Sequence, residues 1–181
     1  MKILPLSSQN FGKVLEETAK ALREGKVVVY PTDTCYGLGA LVSFPSAIEK
    51  IREFKGREEG KPFSVIVPNL GWVYERMERL NEERKEFIEE KLPGPYTFVV
   101  KIKEEFVEEL APVLSNQKLG FRYPDNKFCQ KLAELLGEPF TTTSANLSGK
   151  PPAYSYEEFA RYLKERKSCL LYTSPSPRDR G

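Results

Sequence analysis

Apolar residues recur at helical spacing from Phe11 to Glu24, at Val14, Leu15, Ala19 and Leu22, with Gly25 placed to end the helix. Val27–Tyr30 then reads as a buried strand stopped by Pro31. A polar loop, Thr32-Asp33-Thr34, runs on into Tyr36-Gly37-Leu38-Gly39. Pro45 sits where a first helical residue belongs, and Ile48 and Ile51 give the following helix its inner stripe. A charged loop from Lys55 to Pro62 leads into a strand at Phe63–Val67. Tyr74 to Leu92 is rich in Glu, Arg and Lys and reads as one or two solvated helices, the second capped by Asn81. After Pro93-Gly94-Pro95, strands are predicted at Tyr96–Lys103, Leu119–Tyr123 and Phe140–Thr143. Helices are predicted from an Asp125 cap to Leu136 and from Tyr156 to Lys164. Strands alternating with helices predict an α/β fold, a mixed β-sheet with helices packed on it.

Periodicity ends near Ser168, beyond which Ser, Pro and Arg dominate. The string from Cys169 to Asp179 resembles a translated transposon-type sequencing adapter. The expected organisation is therefore one domain over residues 1–168, truncated at its C-terminus, with 169–181 as a non-native tail.

Composition removes several kinds of chemistry. The 181 residues include no histidine, so Ser-His-Asp and Cys-His catalysis and His-ligated metals are excluded. The three cysteines, Cys35, Cys129 and Cys169, fit no zinc or disulfide spacing, and no metal ligands are expected. With no histidine to activate it, Cys35 reads as a structural thiol. A free-thiol pattern favours the cytoplasm. The apolar runs are too short to span a membrane. The net charge of +2, from 28 basic and 26 acidic residues, rules out a global basic field for nucleic acid.

What remains is a set of hydroxyls, one amide and several cations where predicted strands empty into loops. These are Thr32 and Thr34, Ser144 and Asn146, Arg122, and the Lys55, Arg57 and Lys61 group. Guanidinium forks and ammonium groups suit phosphate and carboxylate oxygens. Each feature also has a plainer reading. Thr32 and Thr34 fit a turn that bonds its own backbone. Lys55, Arg57 and Lys61 fit a solvated loop, and Ser144 and Asn146 fit caps. Arg122, between Phe121 and Tyr123 in an apolar strand where it is the lone cation, needs an anionic partner or an exposed face. The residues alone point to a protein that binds a small polyanion.

Taken together the motifs are more specific. Tyr30-Pro31-Thr32-Asp33-Thr34-Cys35-Tyr36-Gly37-Leu38-Gly39 resembles the opening motif of the YrdC-type threonylcarbamoyl-AMP synthases. Lys55-Gly56-Arg57 resembles their K-x-R element, and Pro93-Gly94-Pro95-Tyr96-Thr97 their P-G-P turn. Leu119-Gly120-Phe121-Arg122-Tyr123-Pro124-Asp125 resembles their arginine strand, and Ser144-Ala145-Asn146 their S-x-N element. The resemblance implies a short, single-domain YrdC-like fold, a twisted mixed sheet with flanking helices around a concave cavity. Ile66 stands where long-form members often carry a histidine.

The implied activity condenses L-threonine, bicarbonate or CO2, and ATP into threonylcarbamoyl-AMP and pyrophosphate, for threonylcarbamoyladenosine modification of tRNA. ATP is a substrate, with Mg2+ bound through it. The implied catalytic set is Lys55, Arg57, Ser144 and Asn146. Lys55, Arg57, Lys61 and Ser144 would hold ATP, and Thr32, Thr34, Arg122 and Thr142 would hold L-threonine. Attack on the α-phosphorus needs positioning and charge neutralisation, which requires no histidine. The implied partners are tRNA and the proteins of the later tRNA transfer step, with no membrane. A second reading is a non-catalytic relative of the same fold that binds double-stranded RNA or tRNA.

Overall fold

Helix α1 (Phe11–Arg23) buries Val14, Ala19 and Leu22 along one stripe, as its spacing predicts, and Gly25 follows with φ 76°. The computed structural model describes residues 4–166 together with the two-residue strand Tyr172–Thr173. Strands β1 (Val28–Pro31) and β2 (Tyr36–Gly39) form an antiparallel hairpin. Pro31 closes β1 from inside, paired with Tyr36, and the stretch read as a loop continuation is β2.

Helix α2 (Pro45–Lys55) starts on its proline and ends at Gly56, whose φ of 63° turns the chain sharply. Then come β3 (Val65–Ile66), α3 (Leu70–Arg76) and α4 (Glu82–Lys91). The charge-rich stretch is thus two helices. Asn69 and Asn81 cap them, accepting from Trp72 N and Arg84 N. The cap of α3 lies ahead of the segment predicted to be helical. Strand β4 (Phe98–Lys101), a short helix α5 (Val107–Leu110) and β5 (Lys118–Arg122) follow. β5 begins one residue earlier than expected, so Arg122 shares its strand with Lys118. Helix α6 (Lys127–Leu136) is capped by Asn126 rather than Asp125, its side chain accepting from Cys129 N.

The predicted strand Phe140–Thr143 is two strands in different sheets. β6 (Phe140–Thr141) pairs with β3, and β7 (Thr143–Ser144) pairs with β2. Thr142 is the hinge residue between them, its N–H bonded to Ser64 O at 2.9 Å. Helix α7 is Tyr156–Arg166, and β8 (Tyr172–Thr173) lies parallel to β1. The rest of the segment 169–181 falls outside the described residues.

The expected α/β architecture, with mixed strands and flanking helices, is therefore present, but as two four-stranded sheets. Their orders are β7-β2-β1-β8 and β4-β5-β3-β6. Two cores sandwich them. One gathers Val29, Leu38, Val65 and Phe121 under α2, α3, α4 and α7. The other gathers Val28, Tyr30, Ile66 and Phe140 under α1 and α6. Ile66 thus packs in a core, fully buried.

The sheets are tied where the site forms. The Tyr30 hydroxyl donates to Thr141 O at 2.8 Å, and Thr141 Oγ1 accepts from Ala40 N and donates to Leu38 O. Gly37 and Gly39 leave room for the Tyr30 ring. A Cβ on Gly39 would lie 2.6 Å from Tyr30 Cε1. Gly39→Ala should therefore cost about 1–3 kcal/mol as an overpacked core contact. Urea unfolding measures it, and an unchanged midpoint would contradict the packing.

Candidate functional site

The turn after β1 is organised by Thr32. Its hydroxyl accepts from Thr34 N and Cys35 N at 3.1 and 3.2 Å and donates to Cys35 O at 2.6 Å. The Thr34 hydroxyl lies 3.2 Å from it, on an exposed residue. Thr32 is thus largely committed to its own turn, as the plainer reading has it. Asp33, between the two threonines, is turned onto β5 by this geometry. Its Oδ1 accepts from Arg122 Nη2 at 2.9 Å. Both side chains are about nine-tenths buried, 9% and 11% exposed. The anionic partner that Arg122 requires is therefore Asp33. Asp33 Oδ2 and Arg122 Nε are also buried, and neither makes a hydrogen bond.

The K-x-R element is anchored by the end of α2. Lys55 is 3% exposed, and its ammonium donates to Ser144 O at 2.5 Å and Asn146 Oδ1 at 2.6 Å. Ser144 Oγ reaches the same Asn146 oxygen at 2.7 Å. Asn146 Nδ2 donates to Lys150 O, and Lys55 O accepts from Ser148 N. The loop 144–150 is thereby clamped onto α2, with two of the three ammonium donors committed to it. Burial, then the Arg57 charge, lowers the Lys55 pKa to about 8.

Arg57 leaves the helix end beside Arg52, and both guanidinium groups face the Phe63 ring, at 4.9 and 4.7 Å. Arg57 Nη2 donates to Pro62 O at 2.7 Å, while its Nε is buried without a partner. Burial and then Arg52 lower the Arg57 pKa. A cavity of about 310 Å³ opens from Arg57 across the sheet, lined by Phe63, Ser64, Lys118 and Gly120 among others. Lys61 sits on the exposed loop, its amine ion-paired with Glu58 at 3.0 Å.

The sequence-predicted residues thus gather into two groups. Lys55, Ser144 and Asn146 form one bonded cluster, with Arg57 next to it and Lys61 outside it. Thr32, Thr34 and Arg122 meet around Asp33. Thr142 is buried at the hinge between the sheets. Cys35 is half-buried, and β2 joins the two groups, pairing through Tyr36 with Pro31 and through Gly37 with Ser144. Burial raises the Cys35 pKa, which suits a structural thiol. Asp33, paired with Arg122, and Lys118, lining the cavity, belong to the candidate site and were left without a role by sequence reasoning. For Asp33 the signal was a carboxylate beside a strand end, facing an arginine that needed a partner.

Chemically, the Lys55–Arg57 end offers cations held by neutral oxygens and an aromatic ring, a setting for phosphate. The Arg122 end offers a guanidinium held by a carboxylate. The Sua5/YciO/YrdC family model, described under telomere recombination, matches residues 20–180. A mouse protein named threonylcarbamoyl-AMP synthase is 38% identical over 149 residues, 81% of this chain and 51% of its own length. The chain thus spans about half the length of that relative. A Vibrio campbellii protein of the same name is 30% identical over 170 residues, covering 93% of this chain and 91% of its own. Among solved structures, Pyrococcus abyssi Sua5 complexed with L-threonine superimposes with a TM-score of 0.82 at 27% identity. The match covers 97% of this chain and 50% of that one. Escherichia coli YciO superimposes with a TM-score of 0.76 at 25% identity, covering 96% and 81%. With its two sheets joined at the Thr142 hinge and a matching family model over most of its length, the chain belongs to the Sua5/YciO/YrdC family.

Proposed function

We propose that this protein is an L-threonylcarbamoyladenylate synthase. It would condense L-threonine, bicarbonate or CO2, and ATP, and release pyrophosphate. The observation that carries the reading is the Lys55 ammonium, buried and bonded to both Ser144 O and Asn146 Oδ1. That arrangement fixes a cation beside the Ser144 hydroxyl, at a loop held in place by the Asn146 amide. In this scheme Lys55, Arg57 and Ser144 bind the phosphates of ATP, with Lys61 at the outer rim. Asn146 orients the Lys55 ammonium. Arg122 binds the threonine carboxylate, with Thr32, Thr34 and Thr142 beside it.

The reaction is an in-line attack of the N-carboxylated amino acid on the α-phosphorus, with pyrophosphate leaving. The residues supply position and charge compensation rather than a proton relay. Mg2+ bound through ATP would supply further charge neutralisation on the phosphates. In this scheme the ion is carried by ATP. The name of the relatives and the L-threonine in the Pyrococcus abyssi Sua5 structure support the reading. The product would pass, in the cytoplasm, to the proteins that transfer it to tRNA. The test is pyrophosphate release from ATP. It is expected to require L-threonine and bicarbonate together, and threonine-independent release at the same rate would refute the reading.

A further inference from the structure

The cations at the two ends of the site are compensated differently. Lys55 donates to two neutral oxygens, Ser144 O and Asn146 Oδ1. Arg57 donates to Pro62 O and faces a ring. Among the described residues no carboxylate is ion-paired with either. Arg122, by contrast, is held by the Asp33 carboxylate at 2.9 Å, away from solvent. One end therefore carries net positive charge and the other is neutral as a pair. The ends are close, since β2 pairs through Tyr36 with Pro31, next to the Thr32–Asp33 turn, and through Gly37 with Ser144. A polyphosphate bound at Lys55 and Arg57 would reach toward any uncompensated guanidinium next to it.

We propose that Asp33 is a specificity residue that keeps phosphate off Arg122 and reserves that arginine for an amino acid. This rests on the reading that Arg122 binds the amino-acid carboxylate. Asp33 engages Nη2 and leaves Nη1 of the guanidinium for that carboxylate. An amino acid is a zwitterion, so its approach to a neutral pair carries little net repulsion. A multiply charged phosphate meets the Asp33 carboxylate at short range and is repelled. Discrimination of this kind uses a repulsive element against the wrong ligand as well as an attractive one for the right ligand. The carboxylate lies too far inside to act as a surface charge, and its second oxygen makes no hydrogen bond. Its negative charge is thus directed at what comes to Arg122 rather than spent on a second partner.

The test is calorimetric titration of L-threonine into the full chain, at zero and at saturating inorganic pyrophosphate. Wild type is expected to keep the same threonine affinity in both. Asp33→Asn keeps an oxygen for Arg122 Nη2 and removes only the charge. There, saturating pyrophosphate is expected to weaken threonine binding about five- to tenfold as phosphate gains access to Arg122. Competition between pyrophosphate and threonine in wild type would overturn the proposal. So would an Asp33→Asn protein weakened by the same factor with and without pyrophosphate, since that is the result of a carboxylate that merely props Arg122. A wild-type protein that binds no threonine at all would instead refute the functional reading, and this inference with it.

Discussion

Lys55→Met is expected to abolish threonine-dependent pyrophosphate release and to weaken ATP binding about a hundredfold, about 3 kcal/mol, the scale for losing a buried charged hydrogen-bond donor. Methionine keeps the apolar stem of the side chain, so the packing around that stem changes little. What goes is the ammonium that joins Ser144 O, Asn146 Oδ1 and the ligand. Two effects on stability oppose each other. The carbonyl and amide oxygens lose their donor, while a charge disfavoured by burial is removed. The folded protein should therefore survive, and the loss should be one of function.

The pH dependence gives a second reading of the same residue. The Lys55 pKa is lowered from 10.5 to about 8 in the folded state. Below that pH the ammonium is charged in both folded and unfolded chains. As pH rises from about 8 toward 10.5, the folded chain gives up the proton first and the unfolded chain binds more protons. Lys55 therefore favours folding increasingly across that window. ATP binding should move the other way, weakening as pH passes about 8 in the free protein. Titrations of ATP across that range should show this slope in wild type and a flatter profile in Lys55→Met. Parallel profiles would place the titrating group elsewhere.

Arg122→Met should be the most destabilising substitution at the site, by about 3 kcal/mol, because it strands the buried Asp33 carboxylate. The double variant Arg122→Met/Asp33→Asn removes both charges and should recover most of that stability. Urea unfolding of the four proteins closes the cycle, with an expected coupling of about 1–3 kcal/mol for a contacting buried pair. Threonine binding should be lost in Arg122→Met and remain lost in the double variant, even though the fold is restored. Recovered threonine binding in the double variant would mean that the amino acid does not use Arg122. A single variant with unchanged stability would mean that the pair contributes nothing in solution.

Much of this molecule was legible along the chain. The helices of Phe11–Arg23, Pro45–Lys55 and Lys127–Leu136 follow from local periodicity and from Pro45, Gly56 and Gly137 at their ends. Asn81 announced its cap because a capping side chain bonds an amide only a few residues on. Lys55, Arg57, Arg122, Ser144 and Asn146 were legible as chemistry because polar and charged residues interrupt apolar elements there. The motif spacing carried the family.

Where tertiary contact decides, the sequence was silent or misleading. Tyr36–Gly39 is rich in glycine and reads as loop, yet it is a strand because those glycines make room for the Tyr30 ring from the partner strand. Phe140–Thr143 has the composition of a single strand. Its division at Thr142 depends on two separate sheets offering edges on either side. Lys61 looked equivalent to Lys55 on the chain. Position separates them, since one amine is buried against the 144–150 loop and the other meets Glu58 at the surface. Asp33 is an ordinary turn residue until Arg122, 89 positions away, takes its carboxylate. Hydrophobic period and capping act within a few residues, so the chain displays them directly. Charge pairing and sheet membership depend on which distant segments meet, and only the folded structure determines that.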